Sequence, residues 1–257
     1  MSYEGFTVEK ANGTAVVSIN RPPANTYNFD LMRELDRIVE DVRLDTDVNV
    51  MILTGTEKIF SAGADIKMLK ESDPVFKAMF CLHCQETLME IERIPKIVIA
   101  AINGHCVGGG LEIAMACDLR FMRSGGQIGL PEVTLGVLPG TGGTQRLPRL
   151  VGKGRAIDLM ITGRTISPEE AKDIGLINDV CEGDAVEFAQ QYAAKLNAGA
   201  TRAIGLIKVA VQEGTEMALS NGLALERELQ NRLFVTDDAK EGLAAFLEKR
   251  KPAFKGR

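Results

Sequence analysis

Three consecutive glycines stand at the centre of residues 103–112, which read Asn-Gly-His-Cys-Val-Gly-Gly-Gly-Leu-Glu. The apolar run at residues 96–102 predicts a buried strand before them, and residues 111–117 predict a helix after them. Consecutive glycines cost backbone entropy, so they suit a place where the backbone must approach another group closely. The first turn of a helix also presents unpaired N–H groups to negative charge. This stretch therefore predicts a strand, a tight turn and a helix start that can stabilise an anion.

The alternation of strand and helix continues toward the N-terminus. Short β-branched and apolar runs predict strands at residues 14–20 and 48–53, and apolar residues at helical spacing predict helices at 29–44 and 74–93. Strands that alternate with helices are typical of an α/β architecture with parallel pairing. We therefore assign the chain to the α/β class.

Beyond residue 154 the pattern becomes mostly helical, with one short strand predicted at residues 177–181. The predicted helices are 154–162, 168–174, 184–197, 201–213, 215–234 and 237–249. No internal repeat or low-complexity linker divides the chain. We therefore predict a strand–helix catalytic core over residues 1–195 and a helical C-terminal region over residues 196–257.

Two further glycine-containing breaks lie near acidic residues. One is residues 60–66, Phe-Ser-Ala-Gly-Ala-Asp-Ile, and the other is Gly-Leu-Pro-Glu at residues 129–132, followed by Leu-Pro-Gly-Thr-Gly-Gly-Thr-Gln-Arg at 138–146. Each feature has an ordinary structural interpretation when it is taken singly. The first break fits a simple strand-to-helix turn, Glu112 fits a first-turn acid that complements the helix dipole, and Glu132 fits a surface turn.

The combination of these features favours proton chemistry beside a carbonyl group. Two backbone amide sites would stabilise an enolate oxygen, and two glutamates would move the protons. The chain has no GxSxG, GxGxxG or GxxxxGK[ST] motif, and no HExxH pattern surrounds His83 or His105. Cys81 and Cys84 form a single CxxC without a second pair, and we interpret them as two cysteines on one buried helix face rather than as zinc ligands.

Composition narrows the class of protein. The chain of 257 residues is long enough for its own core, and its formal charge of −5 argues against a nucleic-acid surface. Its longest apolar stretches fall short of the ~18 residues that a membrane-spanning helix needs. The acidic N-terminus lacks the apolar region of a secretory signal, and five cysteines are an odd number that favours reduced thiols. These features predict a cytoplasmic protein.

At these motifs the sequence resembles the crotonase (enoyl-CoA hydratase/isomerase) superfamily, with enoyl-CoA hydratases as the nearest members. The resemblance covers nearly the whole chain and rests on residues 19–22, 60–65, 104–112, 131–132, 140–146 and 245–251. It implies a ββα spiral core with a helical C-terminal part. It also implies that this C-terminal part mediates assembly into homotrimers or dimers of trimers.

The resemblance also implies which residues form the site. The amides of Ala64 and Gly109 would form an oxyanion hole for the thioester oxygen, and Glu112 and Glu132 match the two catalytic glutamates. The amide of Gly140 matches the group that helps to hold the attacking water. The residues expected along coenzyme A are Ala62, Asp65, Lys67 and, from a neighbouring subunit, Lys249.

The implied activity is the reversible syn addition of water to a trans-2-enoyl-CoA, giving a 3-hydroxyacyl-CoA, as in fatty acid β-oxidation. Coenzyme A is part of the substrate, and no separate cofactor is expected. The alternatives are a Δ3,Δ2-enoyl-CoA isomerase, another crotonase that acts on CoA thioesters, and a non-catalytic RNA-binding relative, which the acidic charge disfavours. Residues 22–28 depart from the Leu-Asn-Ala-Leu-rich version usual in the family, and this departure bears on the preferred acyl group.

Overall fold

Two sheets and a set of surrounding helices make up the computed structural model, which describes residues 3–256. The strands are β1 (Phe6–Ala11), β2 (Thr14–Ile19), β3 (Val50–Thr54), β4 (Ile59–Ser61), β5 (Ile97–Ile102), β6 (His105–Val107), β7 (Leu119–Arg123), β8 (Ile128–Gly129) and β9 (Asp179–Cys181). The helices are α1 (Phe29–Leu44), α2 (Ile66–Glu71), α3 (Pro74–Arg93), α4 (Gly109–Ala116), α5 (Gly143–Val151), α6 (Lys153–Thr162), α7 (Pro168–Asp173), α8 (Ala185–Asn197), α9 (Thr201–Thr215), α10 (Leu219–Phe234) and α11 (Asp237–Leu247). A short 3-10 helix spans Glu132–Leu135.

The larger sheet has the strand order β1-β2-β3-β5-β7-β9 and is parallel except for the β1–β2 pair. Its central strand β3 is buried along its whole length, as expected for a parallel sheet that is covered on both faces. Met51 and Leu53 face the main core, whereas Val50 and Ile52 face a second cluster that contains the alanines of α8. The predicted α/β architecture with parallel pairing is therefore confirmed.

The smaller sheet has the order β4-β6-β8, and its three strands run parallel. Each strand has only two or three residues. Parallel strands end at the same edge of a sheet, so the segments that follow them lie side by side. Those segments are residues 62–65, the glycines before α4, and the Pro131–Glu132 turn. This sheet therefore brings the three breaks of the sequence to one edge.

Close backbone contact explains the glycines at this edge. Gly63 and Gly108 have φ values of +93° and +58°, which L side chains rarely adopt. A Cβ on Gly63 would lie 2.7 Å from the Gly109 nitrogen, and a Cβ on Gly110 would overlap the backbone of Ser61. The glycine run therefore lets the start of α4 pack directly onto the end of β4.

Several predicted bounds agree with the structure, and others need correction. Helices α1 and α3 begin and end as predicted. Helix α4 begins at Gly109 rather than at residue 111, because Gly109 and Gly110 belong to its first turn and are buried there. The helix predicted from residue 215 is α10, which begins at Leu219. Strand β7 was not predicted, because Arg120 interrupts its apolar pattern. That arginine is buried, and its guanidinium donates to the carbonyl oxygens of Leu176 and Cys117.

The C-terminal helices follow α8, which packs on β2, β3, β5 and β7 of the larger sheet, and the first of them, α9, still contacts β5. Helices α9 and α10 pack against each other, and α10 contacts α11. Large apolar residues remain exposed on α10 and α11, namely Leu219, Leu223, Phe234, Leu243, Phe246 and Leu247, and so does Val235, which directly follows α10. Within residues 3–256, no helix combines the length and the apolar character needed to cross a membrane.

Candidate active site

Two backbone turns face each other where β4 and β6 end. The amides around Ala64 are engaged: Ala62 donates to the Ala24 oxygen, Gly63 to Ser61 Oγ and Asp65 to the Tyr27 oxygen. By contrast, the amides of Ala64 and Gly109 donate no hydrogen bond to any of the described residues. Gly109 is the first residue of α4, where helix geometry leaves N–H groups unpaired. The two turns therefore lie close together, since a Cβ on Gly63 would lie 2.7 Å from the Gly109 nitrogen, and each carries an amide without a partner among the described residues.

Glu112 lies in the first turn of α4 and is 2% exposed. Its Oε1 accepts hydrogen bonds from the amides of Thr141, at 2.8 Å, and Gly143, at 2.6 Å. Burial raises the pKa of the Glu112 carboxyl, and the two amides and the Arg146 guanidinium act in the opposite direction. The residue is therefore a buried acid whose ionised form is supported by two fixed donors on one oxygen.

Glu132 opens the 3-10 helix that follows β8 and is half-buried. It lies against the Gly108 turn, because a Cβ on Gly108 would sit 3.4 Å from Glu132 Oε1. Its Oε2 is buried and has no hydrogen-bond partner among the described residues. Burial, followed by the nearby charge of Glu112, raises the pKa of Glu132 to about 7. This environment favours a carboxyl that keeps its proton near neutral pH.

Polar side chains that sequence reasoning missed bind the carbonyl oxygens of residues 140–141, in the loop that holds Glu112. Gln85 Nε2 donates to the Gly140 oxygen at 2.8 Å, and Arg146 Nη1 donates to the Thr141 oxygen at 3.1 Å. Arg146 is itself held by a two-point ion pair with Glu92, at 2.6 and 2.8 Å. Gly140, the predicted water-holding residue, thus directly precedes an amide that binds Glu112. The arginine in residues 138–146 was the only sequence signal for this network.

The residues predicted to contact coenzyme A lie in different settings. Ala62 is half-buried at the end of β4, and Lys67 is exposed in the first turn of α2. The Asp65 carboxylate caps that helix, since Oδ1 accepts from the amides of Lys67 and Met68. Lys249 is exposed in the turn after α11, and within the described part of the chain no hydrogen bond or ion pair joins it to the other site residues. The structure thus brings Ala62, Asp65 and Lys67 next to Ala64 but leaves Lys249 apart.

The CxxC on α3 differs from its interpretation as two buried cysteines. Cys84 is fully buried, but Cys81 is only half-buried. The Cys81 sulfur faces the loop at Gly140, where an added Cβ would lie 3.5 Å from it. The helix therefore turns one cysteine into the core and the other toward the candidate site.

Tyr27 is the other site residue that sequence reasoning missed. Its side chain is 2% exposed, and its hydroxyl lies 3.2 Å from Thr141 Oγ1. The available signal was the departure of residues 22–28 from the usual family pattern.

Comparisons with known proteins identify the family and the fold. A family model described as enoyl-CoA hydratase/isomerase matches residues 9–257. The chain is 42% identical to a short-chain-enoyl-CoA hydratase of Clostridium acetobutylicum, over 100% of both chains. It is 40% identical to a crotonyl-CoA hydratase of Syntrophomonas wolfei, over 99% of both. A crystal structure of an enoyl-CoA hydratase from Geobacillus kaustophilus, 50% identical, superposes with a TM-score of 0.98 over 100% of this chain and 98% of that one. The crotonase fold predicted from the motifs is confirmed, and the chain belongs to the enoyl-CoA hydratase/isomerase family.

Proposed function

We propose that this protein is an enoyl-CoA hydratase, which adds water reversibly and in a syn manner to a trans-2-enoyl-CoA. The observation that carries the proposal is the convergence of two unpaired amides and two environmentally distinct glutamates at one edge of the small sheet. Ala64 and Gly109 supply the amides, and Glu112 and Glu132 supply the acids. These are the parts that water addition beside a thioester carbonyl requires.

The two amides polarise the substrate in this mechanism. Hydrogen bonds from Ala64 and Gly109 to the thioester oxygen make C3 electrophilic and stabilise the enolate that forms when water adds. One donor of this kind contributes about 3 kcal/mol to transition-state stabilisation in enzymes where it has been removed. Fixed backbone amides suit this role, because they need no reorganisation during the reaction.

The environments of the two acids give them different roles. Burial raises the pKa of Glu112, and the two N–H bonds on Oε1 oppose that rise by favouring the carboxylate. In the proposed mechanism this carboxylate takes a proton from water through Oε2. Glu132, whose pKa is raised by burial to about 7, delivers a proton to C2. The amide of Gly140, beside the Glu112 loop, helps to hold the water. After one turnover the proton has moved from Glu132 to Glu112 through the substrate and water, and exchange with solvent restores the starting state.

Coenzyme A binding and assembly form a second part of the proposal. The backbone at Ala62 directly precedes the oxyanion turn at Ala64, and the capped turn at Asp65 and the exposed Lys67 directly follow it. These three residues therefore suit the pantetheine and phosphate portions. Exposed apolar side chains on α10 and α11 support a homotrimer or a dimer of trimers, in which Lys249 of a neighbouring subunit would reach the CoA. All five cysteines are free thiols, which supports a reducing compartment such as the cytoplasm. The proposed activity would serve fatty acid β-oxidation there.

A panel of trans-2-enoyl-CoA thioesters, followed by the loss of enone absorbance, tests the activity. We expect turnover, with crotonyl-CoA first in the series because two relatives are named for short-chain and crotonyl substrates. The matched control is a panel of 3-enoyl-CoA thioesters with the same chain lengths. Gain of enone absorbance from these compounds, with no hydration at any chain length, would contradict the proposal and favour the isomerase alternative.

The pH dependence of hydration is expected to follow the proton on Glu132. The active free enzyme carries one proton on the pair, so kcat/KM should fall about tenfold per pH unit above the pKa of Glu132, which is about 7. Hydration consumes no net proton, and kcat/KM for dehydration must therefore show the same decline. The measurement is kcat/KM in both directions from about pH 5.5 to 9. A flat profile above neutrality would remove Glu132 as the proton carrier.

A further inference from the structure

We propose that Tyr27 is a positioning residue, whose buried side chain couples the oxyanion turn at Gly109 to the loop that holds Glu112. The inference rests on the proposed function and extends it to a residue to which the proposed mechanism gives no contact with the carbonyl or the water. Tyr27 lies in residues 22–28, between β2 and α1, where the sequence departs from the usual family pattern.

The backbone of Tyr27 orients the first oxyanion amide. Tyr27 N donates to the Gly63 oxygen at 2.9 Å, and Asp65 N donates to the Tyr27 oxygen at 2.8 Å. These two bonds form a parallel bridge to Ala64. Since both neighbours of Ala64 are bonded to Tyr27, the Ala64 amide is turned to the opposite side, away from this bridge.

The side chain of Tyr27 packs against Gly109, the residue that carries the second oxyanion amide. Its ring packs against Phe80, with 5.9 Å between ring centroids. A Cβ added to Gly109 would overlap the Tyr27 hydroxyl and the ring carbon that bears it. The tyrosine therefore fills the space that any other side chain at Gly109 would need, and it forms the support on which the start of α4 rests.

The Tyr27 hydroxyl is linked to Glu112 through Thr141. It lies 3.2 Å from Thr141 Oγ1, and the amide of the same threonine donates to Glu112 Oε1. Both residues are buried, at 2% exposure for Tyr27 and 5% for Thr141, so the bond between them is shielded from water. One side chain thus spans the Gly109 turn and the Glu112 loop.

The hydroxyl acts as a neutral hydrogen-bonding group. Burial, followed by the charge of Glu112, raises the pKa of the Tyr27 hydroxyl well above its usual range. A phenol that does not ionise cannot serve as a third acid or base near neutral pH. Its contribution is to hold two parts of the site at a fixed separation, to which rates are sensitive.

Tyr27→Phe tests this role, because it removes the hydroxyl and keeps the ring. We expect kcat for hydration to fall about tenfold, while KM changes less than about twofold. Tyr3→Phe is the matched control. It removes the Tyr3 hydroxyl, which donates a hydrogen bond to the Asp41 carboxylate, far from the site. The control should lose comparable thermal stability and keep wild-type kcat. A kcat for Tyr27→Phe within about twofold of wild type would overturn the inference.

The other end of the bond gives a second test, in which the comparison of Thr141→Val with Thr141→Ser does not require Tyr27→Phe to fold. Thr141→Val removes the hydroxyl and keeps the shape, whereas Thr141→Ser keeps the hydroxyl. We expect Thr141→Val to lose about as much kcat as Tyr27→Phe, Thr141→Ser to retain most of it, and the double variant to lose no more than either single one. Equal activity of Thr141→Val and Thr141→Ser, or additive losses in the double variant, would contradict the coupling.

A spectroscopic readout separates this inference from the proposed activity. Cinnamoyl-CoA is a chromophore whose absorbance shifts to longer wavelength when donors polarise its carbonyl group. We expect the shift in wild type and Tyr3→Phe to exceed that in Tyr27→Phe. If wild type and Tyr3→Phe show a larger shift than Tyr27→Phe but wild type hydrates no enoyl-CoA, the proposed activity fails and the positioning role stands. An equal shift in Tyr27→Phe and wild type would overturn the positioning role whatever the turnover.

Discussion

Glu112→Gln is expected to lower kcat for hydration by about 10²–10⁴-fold, the range typical of a lost acid–base group. Glutamine keeps an oxygen that can accept the amides of Thr141 and Gly143, so the loop should stay in place. It loses the second carboxylate oxygen, which would take a proton from water. The measurement is steady-state hydration of the best substrate found in the enoyl-CoA panel.

The same substitution should leave the fold intact or slightly more stable. Burial raises the pKa of Glu112, which means that its ionised form is costly in the folded protein, and the neutral amide avoids that cost. Glu34→Gln is a matched control, because the Glu34 carboxylate also accepts two backbone amides, those of Glu4 and Gly5. Wild-type turnover in Glu112→Gln, or an equal loss in Glu34→Gln, would contradict the assigned role.

The fold was predictable wherever a local pattern was long enough. Helices α1 and α3 carry apolar residues at helical spacing over 16 and 20 residues, and both were predicted to the residue. Strands β4, β6 and β8 have two or three residues each, which is too few for a period to show. The small sheet that gathers the site was therefore missed, although the glycine breaks that follow its strands were recognised.

The candidate site divides in a similar way. Ala64, Gly109 and the two glutamates lie in compact motifs, and the sequence pointed to each of them. Tyr27 and Thr141 are 114 positions apart, and neither stands in a pattern that indicates the other. Their contact depends on how α4 packs on the end of β4, which only the folded chain shows. Residues that act through packing were therefore the ones that sequence reasoning missed.

Glu132→Gln is expected to lower hydration by about 10²–10⁴-fold as well, but through a different proton. The raised pKa of Glu132, about 7, reflects burial and the charge of Glu112, and it supports the proposed role of this carboxyl as the proton donor at C2. Glu169→Gln is the matched control, because Glu169 also follows a proline in the first turn of a helix but is exposed. It should leave turnover unchanged.

Exchange of the C2 protons of butyryl-CoA in D₂O, followed by NMR, distinguishes the two acids. This saturated thioester cannot be hydrated, so exchange reports only proton transfer at C2 next to the polarised carbonyl. Glu132→Gln should slow the exchange by at least about 10²-fold, because it removes the group that carries that proton. Glu112→Gln should exchange at nearly the wild-type rate, since the acid that it lacks serves the water. If Glu112→Gln slowed the proton exchange and Glu132→Gln did not, the two glutamates would have the opposite roles. Loss of proton exchange in both variants would mean that neither glutamate acts alone at C2.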